Sequence, residues 1–490
     1  MLARPVKQYL RTIGLIVLVI CINSQVSYAQ EGYEAFSVAA RGAGGEYSVL
    51  SRGVNAIGLN PALLGLEPEN RIQISVLPFS GFGLDAGSSF RDVGALSTVF
   101  GNSNSFVGNN TSDRVDSLLS NNKMSGRGDV EVLGLYYYAP DIGGFGLSWT
   151  THAALRTVIP QSFLDFFGVA AASNLTSGSP LAANNFDLQG LWYSEYGLSF
   201  GRQVIGYSLH DSTEAFLGSL SVGGALKYVA GIGYAGLQPG NSLQINQLND
   251  ATEIRVNYSM QFAYPDAFDP KNVPNRFNFQ FLSSATAGSG IGADIGVHAG
   301  FFRSRTGQNA LSIGASITDI GSITWNKNTS VRSVSNLIDT ISHQGLDSST
   351  VNHSLAPIAG KLSNVSSFTT PLPTAMRIGA ALDLDAIGIA IAGTSMTFAA
   401  EYADGLTTTV GALQSPRIGF GVLLDHPGNL FSVRGGVGYT SQPGNSGLSL
   451  GIGTTILRRV AIDAATSNLT QLLGNSGSID AVFSVRVLLD

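Results

Sequence analysis

Gly197-Leu198-Ser199-Phe200-Gly201 spells G-x-S-x-G. In a hydrolase of the α/β class that spacing exposes a serine nucleophile on a sharp turn between a strand and a helix. Here Tyr196, Leu198 and Phe200 alternate straight through the pentapeptide, so the pattern predicts a continuous strand with Ser199 on its small face. Gly231-Ile232-Gly233-Tyr234-Ala235-Gly236 spells G-x-G-x-x-G, which cradles a pyrophosphate only between a strand and a helix. No such βαβ unit surrounds it, and a chain with 60 glycines produces the spacing by coincidence. The six histidines, at 152, 210, 298, 343, 353 and 426, form no close ligand pair. His152 follows a strong strand and could serve a membrane-embedded lipase, but a strand-end position accounts for it more simply. Arg303/Arg305 and Arg458/Arg459 flank strands as turn-facing or membrane-edge charges, and Trp149, Trp192 and Trp325 suit an interfacial girdle or strand packing. The Asp-rich pieces lack calcium-loop spacing. The expectation is therefore no enzyme, with no catalytic, cofactor-binding or metal-ligating residues and no cofactor.

The elements that would carry these residues are strands. In "PRIGFGVLLD", Ile418, Phe420, Val422 and Leu424 share one face, against Arg417, Gly419 and Gly421. Phe431, Val433, Val437 and Tyr439 oppose Ser432, Arg434, Gly436 and Gly438, and Leu448, Leu450, Ile452 and Ile456 oppose Ser449, Gly451, Gly453 and Thr455. The same period of two runs through Val460/Ile462, through Ile378, Leu382 and Leu384, through Phe145, Leu147 and Trp149, and through Phe483, Val485, Val487 and Leu489 at the end of the chain. One apolar face and one small or polar face describes a half-buried strand. A soluble sandwich would bury the apolar faces against each other. A transmembrane barrel would turn them to lipid and the small polar faces to its lumen. Segments of about ten residues fit a tilted membrane-crossing strand. Turn chemistry at Ala139–Gly144, Arg305–Asn309, Asp425–Asn429 and Gln442–Gly447 separates strands, while Gly101–Asp129, Ser162–Asn185, Pro265–Gly290 and Asn326–Pro371 read as long loops.

Composition favours the barrel. Charged residues make up 12% of the chain, against an average near 25%, and the net charge is −6, which offers nucleic acid no basic face. Arg4, Lys7 and Arg11 precede an apolar run of ten, Ile13 to Ile22, and Ser27-Tyr28-Ala29 places small residues before a cleavage point after Ala29. This reads as a signal peptide over residues 1–29, too short in its apolar run for a membrane helix. The lone cysteine, Cys21, lies inside it, so the mature chain has none. The expected fold class is all-β: one transmembrane antiparallel barrel of about 14 strands over residues 70–490, drawn from roughly fourteen to sixteen candidates, in the outer membrane.

Residues 30–69 are different. Arg41, Gly42, Ala43 and Gly44 lead into "GVNAIGLNPALLGLE", which is too rich in glycine for a stable helix and too apolar for a free tail. A signal peptide, a glycine-rich segment, Asn60-Pro61-Ala62 and then a first strand over "NRIQISVLPF" resembles the FadL-type outer-membrane transporters of fatty acids and other hydrophobic compounds. "SITDIGSITWN", "WYSEYGLSFGRQ" and "LPTAMRIGAAL" are similar to a related barrel family of unknown function, itself a cousin of PorV-like secretion shuttles. The resemblance implies that residues 30–69 fold back as a hatch in the lumen, with Arg41, Gly42, Gly44, Asn60, Pro61 and Ala62 as hatch residues and Asn60 turning the chain at the end of a short helix. It implies passive transport or binding of hydrophobic small molecules, with outer-membrane lipid and a hydrophobic ligand as partners. The alternative it leaves open is a non-enzymatic barrel that binds envelope proteins through its long loops. Ser199→Ala is expected to leave the esterase reading of the purified protein at its blank value. Loss of a measurable activity in that variant would overturn the strand reading of the motif.

Overall fold

In the computed structural model, the described residues are 48–68, 70–76, 82–86, 123–158, 181–184, 187–207, 214–247, 251–265, 286–304, 307–342, 360–389, 393–428, 430–442, 445–466, 469 and 479–489. The proposed signal peptide and the stretch containing Arg41, Gly42 and Gly44 lie outside them, as do His210, His343 and His353.

Fourteen antiparallel strands form a closed wall. The first, β1, comes in two pieces, Ile72–Val76 and Phe82–Ala86. Then follow β2 (Lys123–Ala139), β3 (Gly143–Val158), β4 (Asp187–Gly206), β5 (Ala215–Leu237), β6 (Gly288–Arg303) and β7 (Asn309–Trp325). Next, β8 is broken at residues 372–374 between Phe368–Pro371 and Ala375–Asp383. The wall continues with β9 (Ser395–Gly405), β10 (Arg417–His426), β11 (Phe431–Gln442), β12 (Asn445–Ile456), β13 (Val460–Thr466) and β14 (Ile479–Leu489). Each strand pairs with its neighbours in sequence. The ring closes where β14 meets β1, with Ile72 opposite Leu489 and Phe82 opposite Phe483.

Alternation decides which way each side chain points. Leu147, Leu198, Leu226, Ile291, Phe420, Val433, Leu450 and Phe483 are exposed on the outer surface. Ser148, Ser199, Lys227, Ser449 and Ser484, one residue away from several of them, are buried inside. The outward apolar face is what hydrocarbon requires, and the closed ladder leaves no unpaired edge in it. Leu384 departs from the expected face: its strand ends at Asp383, and Leu384 is buried before a short 3₁₀ turn. Ser199 sits in mid-β4, opposite Gly146, and Gly231–Gly236 runs along β5 with no helix following. Both motifs are thus stretches of straight strand.

Successive connections alternate between the two ends. The turns after β2, β6 and β10 are short, whereas the long connections follow β1, β3, β5 and β7. The tight turn after β11 belongs to the long-loop end. Part of what reads as loop is strand. Leu181–Asn184, Ser330–Ser342 and Lys361–Asn364, from the expected loops, join Ser242–Gln247 and Ala251–Ala263 in a further sheet, attached to the wall where Tyr234 pairs with Ala263. Sequences such as "SVRSVSNLIDTIS" carry polar residues on both faces, so they lack the apolar alternation that marks a lipid-facing strand.

A charge on the outer face midway along a strand has no water to retreat to. Leu226→Arg is expected to lower folding stability in vesicles by about 2–4 kcal/mol, and Phe216→Arg, near the strand end, by about 0–1 kcal/mol. Guanidinium titration of the vesicle-folded barrel checks both. Equal penalties would contradict the assigned outer face.

Candidate functional site

The lumen is filled from three levels. At the short-turn end, residues 48–66 lie against the inward faces of β2 to β7. Two 3₁₀ helices, Gly53–Ala56 and Pro61–Gly65, are joined by a turn. Asn60 stands at the start of the second helix, not at the end of the first. Its backbone is extended, its Oδ1 accepts the Ala62 N–H at 3.1 Å, and Pro61 takes the first helical position, where no N–H is needed. Its Nδ2 donates to Ser48 O at 2.7 Å and to Val297 O on β6 at 3.3 Å, tying the segment to itself and to the wall. Tyr136 Oη donates to Leu64 O (3.0 Å), and Ser316 Oγ donates to Leu59 O (2.7 Å).

Inward glycines make room for this backbone. A Cβ on Gly201 would stand 2.3 Å from Pro61 O, and one on Gly296 would stand 2.0 Å from Asn60 Oδ1. Val54, Ala56, Leu63, Leu64 and Leu66 pack with Tyr136 and Tyr138 in one buried cluster. Asn60, Pro61 and Ala62 are therefore brought together and buried.

Halfway along the lumen is a layer of charge. Lys227 Nζ on β5 reaches Glu195 Oε1 on β4 at 3.1 Å, Asp294 Oδ1 on β6 at 3.0 Å and Asp319 Oδ1 on β7 at 2.6 Å. All four are buried. A bulge places Asp319: Thr318 and Asp319 lie between the pairs Ala293–Ile320 and Ile295–Ile317, opposite Asp294 alone. Asp319 adopts a φ of 58°, and its N–H donates to Asp294 Oδ1 at 2.8 Å. Asp129 accepts from Arg127 Nε at 2.6 Å, and its Oδ1 lies 2.6 Å from His152 Nδ1. Arg377 donates to Thr318 Oγ1 at 3.1 Å. Among the described residues no group of His, Cys, Asp and Glu is arranged to hold a metal ion.

At the long-loop end the connection between β9 and β10, residues 406–416, turns inward. Val410, Ala412 and Leu413 are buried. Gln189 Oε1 accepts the Val410 N–H at 3.1 Å, Arg127 Nη1 donates to Gly411 O at 2.7 Å, and Thr407 and Thr409 bond carbonyls of Leu372 and Pro371. Val410 joins Leu191, Tyr193, Val229, Ile323, Trp325 and Leu372 in an apolar cluster. Trp325 is fully buried there with Nε1 donating to Thr370 Oγ1 at 2.9 Å, so it is no girdle residue. Gly231 faces it: a Cβ would come within 2.7 Å of the indole.

On the outer face, across β2 to β7, lies an apolar concavity of about 870 Å³. Leu133, Leu147, Trp149, Leu198, Leu226 and Ile291 line it, and Gly197, Lys227, Gly292 and Gly321 form its floor. Trp149 stacks on Tyr196 at 5.5 Å. His426, at the end of β10, lies 3.1 Å from Thr394 Oγ1. Arg303 is buried and donates to Gly307 O in its own turn at 2.7 Å, and the exposed Arg458 and Arg459 occupy a turn.

Sequence reasoning missed the Lys227 cluster and the inserted loop. The usable signal was a lone charge on the small face of an alternating strand, as in "GALKYV" and "GADIGV". The "DIGSITW" stretch now has a physical account: it carries Asp319 into the charged layer and Ile323 and Trp325 into the apolar one.

A protein-family profile described as "Family of unknown function (DUF5723)" matches residues 65–452. The chain belongs to this family. No curated protein matches it. Among solved structures, the Pseudomonas putida toluene transporter TodX aligns at 10% identity over 94% of this chain and 99% of its own, with a TM-score of 0.43. The Ralstonia pickettii toluene transporter TbuX aligns at 11% identity, with 94% and 99% coverage and a TM-score of 0.39. A Pseudomonas aeruginosa FadL homologue aligns at 10% identity, with 94% and 100% coverage and a TM-score of 0.26.

Removing the ammonium from the charged layer leaves three carboxylates facing one another. Lys227→Met is expected to cost about 3–5 kcal/mol of stability. Adding Asp294→Asn and Asp319→Asn to it is expected to recover part of that loss in the same guanidinium titration. A Lys227→Met barrel as stable as the parent would show that the ion cluster does not hold the wall.

Proposed function

We propose that this protein is an outer-membrane barrel that binds hydrophobic small molecules and passes them across the membrane without chemistry. The observation that carries this reading is the apolar concavity of about 870 Å³ on the outer face, with Trp149, Leu198, Leu226 and Ile291 around a floor of glycines and Lys227. An apolar cleft with few polar groups is the general form of a small-molecule site. On the lumen side of Gly197 and Gly292 stand the side chains of Ser148, Lys227 and Leu372, so exchange through the wall there requires those side chains to move. Residues 48–66 serve as the hatch in this reading. Their fit against glycines of the wall supports an enclosed plug, which keeps polar solutes out while apolar cargo moves.

Two measurements test it. In lipid nanodiscs, 1-bromonaphthalene is expected to quench Trp149 with a saturable component that disappears in Trp149→Phe and in the cavity-filling Leu226→Phe. A purely linear rise, equal in all three proteins, would be simple partitioning into lipid and would sink the binding site. In planar bilayers, a deletion of residues 40–62 is expected to insert and to conduct small ions far more than the parent. A deletion as closed as the parent would remove the hatch from this account.

A further inference from the structure

The charged layer and the apolar cluster of the long-loop end adjoin one another on the same strands. On β4 Tyr193 precedes Glu195 by one inward position, and on β5 Val229 follows Lys227 by one. Leu372 lies against Gly292, two residues before Asp294: a Cβ on that glycine would sit 3.0 Å from Leu372 Cδ1. Thr374 Oγ1 donates to the carbonyl of Asp319 at 2.7 Å. The packed apolar cluster of the lumen therefore abuts the carboxyl groups around Lys227.

The charged layer carries an imbalance. Three carboxyl groups share one ammonium, and Lys227 meets one oxygen of each, so the cluster holds more acceptor oxygens than it has donors for. Glu195 Oε2, Asp294 Oδ2 and Asp319 Oδ2 are buried and accept no hydrogen bond. Buried acceptors without donors are costly, and a donor delivered to them is held strongly. Lys227 itself shows what suits the place, because its side chain is an ammonium on an alkyl stem. Val410, on the inward loop of residues 406–416, also enters the apolar layer.

We infer that the lumen takes hydrophobic molecules bearing an ammonium or other hydrogen-bond-donating head, and turns away those bearing a carboxylate. This rests on the proposed transport of hydrophobic molecules and names their class. The apolar body lies among Tyr193, Val229, Ile323, Trp325 and Leu372, displacing Val410. The head reaches the spare oxygens of Glu195, Asp294 and Asp319. A carboxylate head would bring further acceptors to oxygens that already lack donors, and so gains no hydrogen bond there.

The test uses one ring with three heads. Equilibrium dialysis of the full-length barrel in nanodiscs, against empty nanodiscs, measures benzylamine, toluene and benzoate. Benzylamine is expected to bind at least about tenfold more tightly than benzoate, the ratio one charge-assisted hydrogen bond supplies. Asp319→Asn and, separately, Glu195→Gln are expected to shrink that ratio to about threefold or less while toluene binding stays unchanged. Both changes keep shape, and Asn tolerates the positive φ at 319. Folding of each variant is checked by heat-modifiable migration, and either variant alone suffices. Benzoate binding as tightly as benzylamine, or a ratio that both folded variants leave intact, would overturn the inference while leaving transport of hydrophobic molecules standing. Failure of all three compounds to bind would overturn both.

Discussion

The constraint on which everything else depends is closure of the backbone ladder. A strand exposed to hydrocarbon has to satisfy every N–H and C=O within the protein, and only a ring does so without leaving an edge. Once β14 has paired with β1, the circumference is fixed by fourteen strands and the lumen has a set width. The interior must then be filled, because the wall contributes mainly Gly, Ser and Ala on that side. The short-turn segment, the charged layer and the inward loop are three ways of filling it.

These fillings differ in what holds them. Residues 48–66 are held by shape: glycines on the wall admit backbone, and Leu59, Leu63 and Leu64 are fully buried. The middle layer is held by charge, with Lys227 drawing together carboxylates from three strands. Desolvation of these buried groups offsets much of their mutual attraction, so what the cluster contributes is chiefly visible when one partner is removed. The loop at the far end is held by hydrogen bonds between side chains and backbone, from Gln189, Arg127, Thr407 and Thr409, and by the burial of Val410. The bulge at Thr318 and Asp319 links the layers, because it aims Asp319 at Lys227 and resets β7 so that Ile323 and Trp325 enter the apolar cluster.

Much of the fold was legible in the sequence because a barrel wall in lipid obeys a local rule. Phe420, Val433 and Leu450 had to be apolar and their neighbours small, and a period of two records that rule whatever the rest of the chain does. Ser199 could be assigned to a strand for the same reason. Polar strands such as Ser330–Ser342 escaped, since nothing apolar is asked of them.

The sequence by itself determined the alternation, the turns and the anomalous apolar glycine-rich stretch containing Asn60-Pro61-Ala62. Tertiary structure alone decided which charges meet. Glu195, Lys227, Asp294 and Asp319 are far apart along the chain and become neighbours only through the register of four adjacent strands and one bulge. It also decided that Trp325 faces inward, that Asn60 begins a helix, and that the connection after β9 folds into the lumen. Each of these depends on where closure leaves space, and that is a property of the ring, absent from any single strand.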